Sequence, residues 1–234
     1  MKTEAFTSVL RETYGDNLVS IILYGSVVAG DYTKKYSDVN LLVVLDSLEF
    51  SDLKALTPHM AKWSKMGNPP PLLFTRQRLN QSADVFPIEL LDMKQSHRVL
   101  FGEDVLEAIE VLNTNLRLQI EHELRAKLLT LREQYVLTQG RTKPLKYLMI
   151  QSLSSFLVLF RAALRLFEQD VPAVKLAAVK GLAERLNFDT NVFEQVHALK
   201  QGRSATEPME VLFERYLQTI TEVIDAVDAK VLSE

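Results

Sequence analysis

"YGSVVAGDYTKKYSDVNLLVVL", from Tyr24 to Leu45, is the stretch on which the reading of this chain turns. An apolar run, "LVSIILYG", ends in a Gly-Ser pair, a short linker follows, and a second apolar run opens with "DVN". The first run has the length and the Val, Ile and Leu content of a buried strand ending at Gly25, and "SVVAG" has room for only a turn or two of helix. Ser26 then sits at a strand-to-helix junction, where its hydroxyl and exposed backbone N–H groups can hold a phosphate oxygen. Gly25 leaves room for an anion to approach the backbone. Asp38 and Asn40 stand two apart at the start of the second run, so a strand points both side chains to one face and turns Val39 into the core.

Two carboxylates on such a face, joined by a third from a neighbouring strand, can hold two magnesium ions over a triphosphate. The ions polarise the α-phosphorus and lower the pKa of an attacking hydroxyl. The third carboxylate is expected from "DVFPIELLDMK", which reads as a strand: Glu89 lies there amid apolar residues, where an unpaired charge is expensive. Asp92, closing the same run, is the second choice, and Asp84 belongs with the turn before Pro87. Lys34 and Lys35 in the linker either steer a phosphate or belong to a solvated loop. Asn40 is the weak point, because an amide offers one neutral carbonyl oxygen where a two-ion site needs a bridging carboxylate.

Composition bounds the alternatives. The 234 residues, 47% apolar and 24% charged, suit one large domain or two of ordinary size. The formal net charge is -3 and no run of Lys or Arg exceeds two, which argues against obligate binding to duplex nucleic acid. Cysteine is absent, so there are no disulfides and no thiolate zinc sites, and the four histidines form no ligand cluster. These features, with the lack of a signal-like apolar stretch in "MKTEAFTSVLRETYG", give the expectation of a cytoplasmic protein. "YLMIQSLSSFLVLF" reads as a buried helix, too short to span a bilayer before Arg161.

The character of the sequence changes near residue 110. Before it, "LVSIILYG", "VNLLVVLD", "PLLF" and "VFPIELLD" read as short strands, while Leu53, Leu56, Met60 and Trp63 recur at helical spacing. Residues 1–110 are therefore expected to form an α+β unit with a small mixed sheet. Beyond it, Leu112, Leu116, Ile120, Leu124 and Leu128 recur every fourth residue, Gly140 and Pro144 punctuate "TQGRTKP", and further amphipathic segments follow. Residues 111–234 are expected to form an all-α bundle of about five helices. The first unit carries a net charge of -4 and the second +1.

With those residues in place, the chain resembles the nucleotidyltransferase superfamily that includes DNA polymerase beta and the aminoglycoside nucleotidyltransferases. The resemblance rests on Gly25-Ser26, eleven intervening residues, and then Asp38-Val39-Asn40 on an apolar strand. Gly25, Ser26 and Asp38 match the family signature directly, Glu89 matches its third acidic position by setting, and Asn40 departs from it. The resemblance implies a nucleotidyltransferase-like α+β domain followed by an all-α helical bundle that serves acceptor binding. It also implies Mg2+-dependent transfer of a nucleoside monophosphate, commonly AMP from ATP, to a hydroxyl of a small molecule or protein. On this view Asp38 and Glu89 are catalytic, Gly25 and Ser26 bind the nucleotide, and Asp38, Asn40 and Glu89 face the metal. The alternative is a catalytically impaired nucleotide-binding or regulatory protein that keeps the fold, with Asn40 either a weak surviving ligand or the mark of a decayed site. Related enzymes recruit a carboxylate from the helical domain, which makes Glu121 and Glu123 candidate general bases. Arg141, Lys143 and Lys146 either meet polyphosphate or acceptor or form a solvated turn. His97, His122 and Trp63 read as structural, and the long apolar helices leave surface for a homodimer.

Overall fold

Alternation along the strands builds the first unit of the fold. A computed structural model describes residues 2–29, 38–168 and 170–230, without the side chains of Ser26 and Ala29. Lys34 and Lys35 lie outside the described residues. The chain divides into two compact units, Met1–Leu112 and Asn113–Glu234.

In the first unit, helix α1 (Thr3–Tyr14) leads through a short 3-10 turn into β1 (Leu18–Tyr24). Then come α2 (Ser26–Ala29), β2 (Asn40–Leu45), α3 (Phe50–Ser64), β3 (Leu72–Thr75), α4 (Arg76–Gln81), α5 (Pro87–Gln95) and β4 (His97–Gly102). The four strands form one mixed sheet in the order β3-β2-β1-β4. β1 runs antiparallel to both β2 and β4, and β2 runs parallel to β3.

Because side chains alternate across a strand, the apolar runs of β1 and β2 feed two cores. Ile21, Leu23, Leu41, Val43 and Leu45 pack with Phe6 and Leu10 of α1 and with Leu56 and Trp63 of α3. Trp63 is fully buried, stacks on Phe6 at 4.2 Å between ring centroids, and donates its indole N–H to the Pro69 carbonyl at 2.6 Å. On the other face Ile22, Leu42 and Val44 pack with Leu79, Leu90, Met93 and Leu106. Helix α3 begins in a reciprocal capping box: Asp52 accepts from the Glu49 N–H at 2.8 Å while the Glu49 side chain accepts from the third residue of the helix.

The second unit holds α6 (Asn113–Thr138), α7 (Thr142–Leu164), α8 (Lys175–Leu186), α9 (Asn191–Lys200) and α10 (Met209–Asp228). This is the expected helical bundle. Gln139 and Gly140, both at positive φ, turn the chain out of α6, and α7 starts two residues before Pro144. Leu116, Ile120, Leu124 and Leu128 are buried, whereas Leu112 precedes the helix and is exposed.

α7 is the buried helix expected of "YLMIQSLSSFLVLF". It is 23 residues long, and by length and composition it would suit a membrane span. Its apolar residues instead fill the bundle, with Met149, Leu153, Phe156 and Phe160 at 0–1% exposure. Arg161 lies inside this helix, itself buried, and donates to the Ala173 carbonyl at 2.8 Å. A buried guanidinium is tolerable only when it is hydrogen-bonded.

Candidate functional site

Gly25 closes β1 in a conformation that suits glycine, with φ at +87°. Its N–H donates to the Ser96 carbonyl at 3.1 Å, and its own carbonyl accepts from the Val28 N–H at 2.9 Å. The first bond ties the turn to the α5–β4 junction, and the second closes the short helix α2 over it. Asn40 faces this turn from β2: a Cβ on residue 25 would lie 3.2 Å from Asn40 Nδ2. Gly25 and Asn40, fifteen positions apart in the sequence, are thus brought side by side.

The register extends the group across the sheet. Tyr24 pairs with Asn40 on one side and with His97 on the other, so the three side chains belong to one face at one end of the sheet. Burial raises the Tyr24 phenol above its ordinary pKa, so it is a neutral hydroxyl at any physiological pH. Val39 packs among the α1–α3 core residues and its N–H donates to Asn68 Oδ1 at 3.2 Å. That anchor sets the entry to β2 and leaves Asp38 exposed.

The expected third carboxylate is where the structure departs from the sequence reading. "VFPIELLD" is not a strand: Glu89 and Asp92 lie on helix α5, Glu89 exposed in its first turn and Asp92 half-buried. Pro87 occupies the start of that helix, where its missing N–H costs nothing, and a short apolar run cannot by itself tell strand from helix. The strand beside β2 is β3, "LLFT", which carries no acidic residue. Among the described residues none of the four strands contains Asp or Glu. Nor do those residues include any group of three or more His, Cys, Asp and Glu side chains able to hold a metal ion. Of the acidic and amide residues expected to face the metal, the entry to β2 keeps one carboxylate, Asp38, and one amide, Asn40. That set fits a single cation shared with a ligand's phosphates; it does not fit a pair of ions, which needs bridging negative charge.

Other expected participants are described where they lie. Asp84 is exposed in the turn between α4 and α5. Glu121 is held by Arg117 at 3.2 Å and Arg125 at 2.8 Å, and Glu123 pairs with Lys127 at 3.7 Å. Arg141 stands just before α7 and donates to the Thr138 carbonyl at 3.3 Å, while Lys143 is exposed and Lys146 half-buried. His122 is exposed on α6. His97 had a structural role in the sequence reading, and its place in the Tyr24–Asn40 row was not legible because β4, with its mixed His-Arg start, lacks the apolar signature of the other strands.

Gly25→Ala should destabilise the protein by about 1–2 kcal/mol, since a side chain at positive φ is strained. Asn40 must also yield by a few tenths of an ångström to admit the new methyl. A thermal melt checks this, with a fall of roughly 2–8 °C expected for a chain of this size; an unchanged midpoint would mean the turn is softer than described.

The chain is similar to known proteins in sequence and in fold. Residues 5–97 match the family model described as the nucleotidyltransferase domain. Among solved structures the chain is similar to spectinomycin adenyltransferase AAD(9) from Enterococcus faecialis, crystallised with ATP and spectinomycin. That likeness spans 96% of this chain and 97% of the other, at 16% identity and a TM-score of 0.57, and at such identity it speaks to the fold. No curated protein sequence matches the chain.

Proposed function

This chain belongs to the nucleotidyltransferase superfamily, with a helical C-terminal region, and we propose that its Gly25–Asn40 site binds ATP and moves its nucleoside monophosphate to a hydroxyl. The observation that carries this reading is the seating of Asn40 against the β-carbon-free Gly25, next to Asp38, inside the matched region. The Gly25 turn, whose missing β-carbon lets Asn40 come close, would take a phosphate on the backbone N–H groups that follow it. Asp38, exposed at the mouth of β2, and the Asn40 carbonyl would hold a Mg2+ carried in by the nucleotide. Such an ion, when bound, withdraws charge from the phosphate and favours attack at phosphorus. The neutral Tyr24 hydroxyl, next in the row, is a donor or acceptor for the same ligand.

The acceptor is proposed to be a small molecule or a protein hydroxyl; the likeness to an adenyltransferase crystallised with ATP and spectinomycin supports the small-molecule choice. The helical unit is proposed to serve it. The lack of cysteine supports a cytoplasmic setting.

A second reading is favoured by one observation, the absence of any Asp or Glu from the four described strands. Under it the site binds the nucleotide and turns it over slowly or not at all. Calorimetry of the full chain with ATP and Mg2+ tests what both readings share: a dissociation constant at or below the millimolar range is expected, and no heat at millimolar ATP would end both. Incubation with α-labelled ATP and small-molecule acceptors then separates them, label on an acceptor supporting transfer and label left wholly on ATP supporting the binding protein.

A further inference from the structure

Around His97 the structure holds more order than a surface strand requires. Its Nδ1 lies 3.0 Å from the Lys94 carbonyl and its Nε2 lies 2.8 Å from Asp104 Oδ2. A carbonyl and a carboxylate both accept, so the ring holds each partner by donating to it. Asp104 is fixed in turn by the Leu106 N–H at 3.1 Å on its other oxygen. Lys94 donates its ammonium to the carbonyls of Glu107 at 2.9 Å and Ile109 at 2.8 Å. Burial raises the Asp104 carboxyl, yet the His97 hydrogen bond and charge, with the Leu106 and Glu107 N–H groups, bring it below its ordinary value.

This clamp closes on one residue that matters elsewhere. Ser96, between Lys94 and His97 at the end of α5, gives its carbonyl to the Gly25 N–H. His97 itself sits opposite Tyr24 in the row that ends at Asn40. We propose that His97, gripped by Asp104 and the Lys94 carbonyl, is a positioning residue that holds the Ser96 carbonyl and through it the Gly25 turn in its nucleotide-accepting shape. The inference rests on the reading that this turn takes the phosphates, and it touches no reacting atom. The charged groups in contact with the clamp are Asp104, from the segment after β4, and Lys94, from α5; the neighbour on β1 is the neutral Tyr24.

Three measurements on the full chain test it, using His97→Gln, which keeps one donor and has no charge, and Asp104→Asn, which keeps an acceptor. In nitrogen-detected spectra of the parent, both His97 ring nitrogens should show the signature of hydrogen bonding; a ring nitrogen free of any hydrogen bond would overturn the clamp. Amide exchange at Gly25 should be about tenfold faster in His97→Gln at one pH, with a smaller rise in Asp104→Asn. Equal Gly25 exchange in all three proteins would sink the proposal. Mg2+-ATP should bind His97→Gln five- to tenfold more weakly, and equal affinity would separate the clamp from the site. If the parent binds no ATP, the functional reading fails while the ring spectra and Gly25 exchange still decide whether the clamp exists. Should His97→Gln not fold, Asp104→Asn carries the same comparisons.

Discussion

Asn40→Asp should convert a weak response to Mg2+ and ATP into a strong one. The substitution keeps the side-chain volume and the fit over Gly25, so the fold should accept it. It places a second carboxylate two residues from Asp38, at the start of β2. Near a protein surface, a unit charge 4 Å from another interacts by about 4 kcal/mol, and a divalent ion by twice that before desolvation is subtracted. Even a small part of that attraction is ample: tenfold tighter binding needs only about 1.4 kcal/mol. Without a cation, the two carboxylates repel and the variant should melt slightly below the parent. With saturating Mg2+ and ATP it should rise by roughly 3–6 °C more than the parent does, because a ligand that binds only the folded state stabilises it in proportion to its affinity. Any transfer of labelled nucleotide should increase on the order of 100-fold. Equal melting shifts in parent and variant would mean that residue 40 does not face bound cation.

This experiment also bears on why the site was only half legible in the sequence. β1 and β2 announce themselves through unbroken Val, Ile and Leu because both of their faces are covered, one by α1 and α3 and the other by α4, α5 and the segment after β4. The Gly-Ser pair marks a positive-φ turn that glycine accepts without strain, and that conformation is what the structure shows at Gly25. The helical half was legible as well, since Leu116, Ile120, Leu124 and Leu128 repeat at the period of a helix and are buried as that period requires.

The failures have equally local causes. In "VFPIELLD" the apolar residues are too few to fix a period, and Pro87, a helix opener when it stands in the first turn, was outweighed by the hydrophobic run. Glu89 was assigned to the metal face on the strength of that strand; its place on α5 withdraws the geometric basis of the assignment. β4 is not legible because it opens with His97 and Arg98, as an edge strand can, and a register shift breaks its alternation, with Val99 packed on one core and Leu100 and Phe101 on the other. His97's partners lie three and seven residues away in sequence, on a helix end and a turn. No spacing rule announces a contact made by two separate elements converging on one ring.

Asp38→Asn should have the opposite effect to Asn40→Asp and the larger one on function. Asp38 is the carboxylate that stands two residues from Asn40, at the entry to β2. Its removal leaves two neutral amides, which hold a hydrated divalent ion poorly because dehydrating Mg2+ must be offset by ligand charge. ATP should still bind through contacts to the Gly25 turn, but the affinity should become nearly the same with Mg2+ and without it. Transfer, wherever the parent shows it, should fall by roughly 100-fold or more, equivalent to about 2.7 kcal/mol of lost transition-state stabilisation. Stability without ligand should barely change, since Asp38 is exposed and a surface substitution of this kind is ordinarily worth less than about 0.5 kcal/mol. Calorimetry of parent and variant with ATP, each in Mg2+ and in chelator, checks the first expectation; labelled-ATP transfer checks the second. A variant that keeps the parent's Mg2+ dependence would place the cation's protein ligand elsewhere, and the double substitution Asp38→Asn with Asn40→Asp would then show whether the position of the charge or only its presence matters. Recovery of the Mg2+ response in that double variant would assign the cation to the β2 entry irrespective of which residue bears the carboxylate.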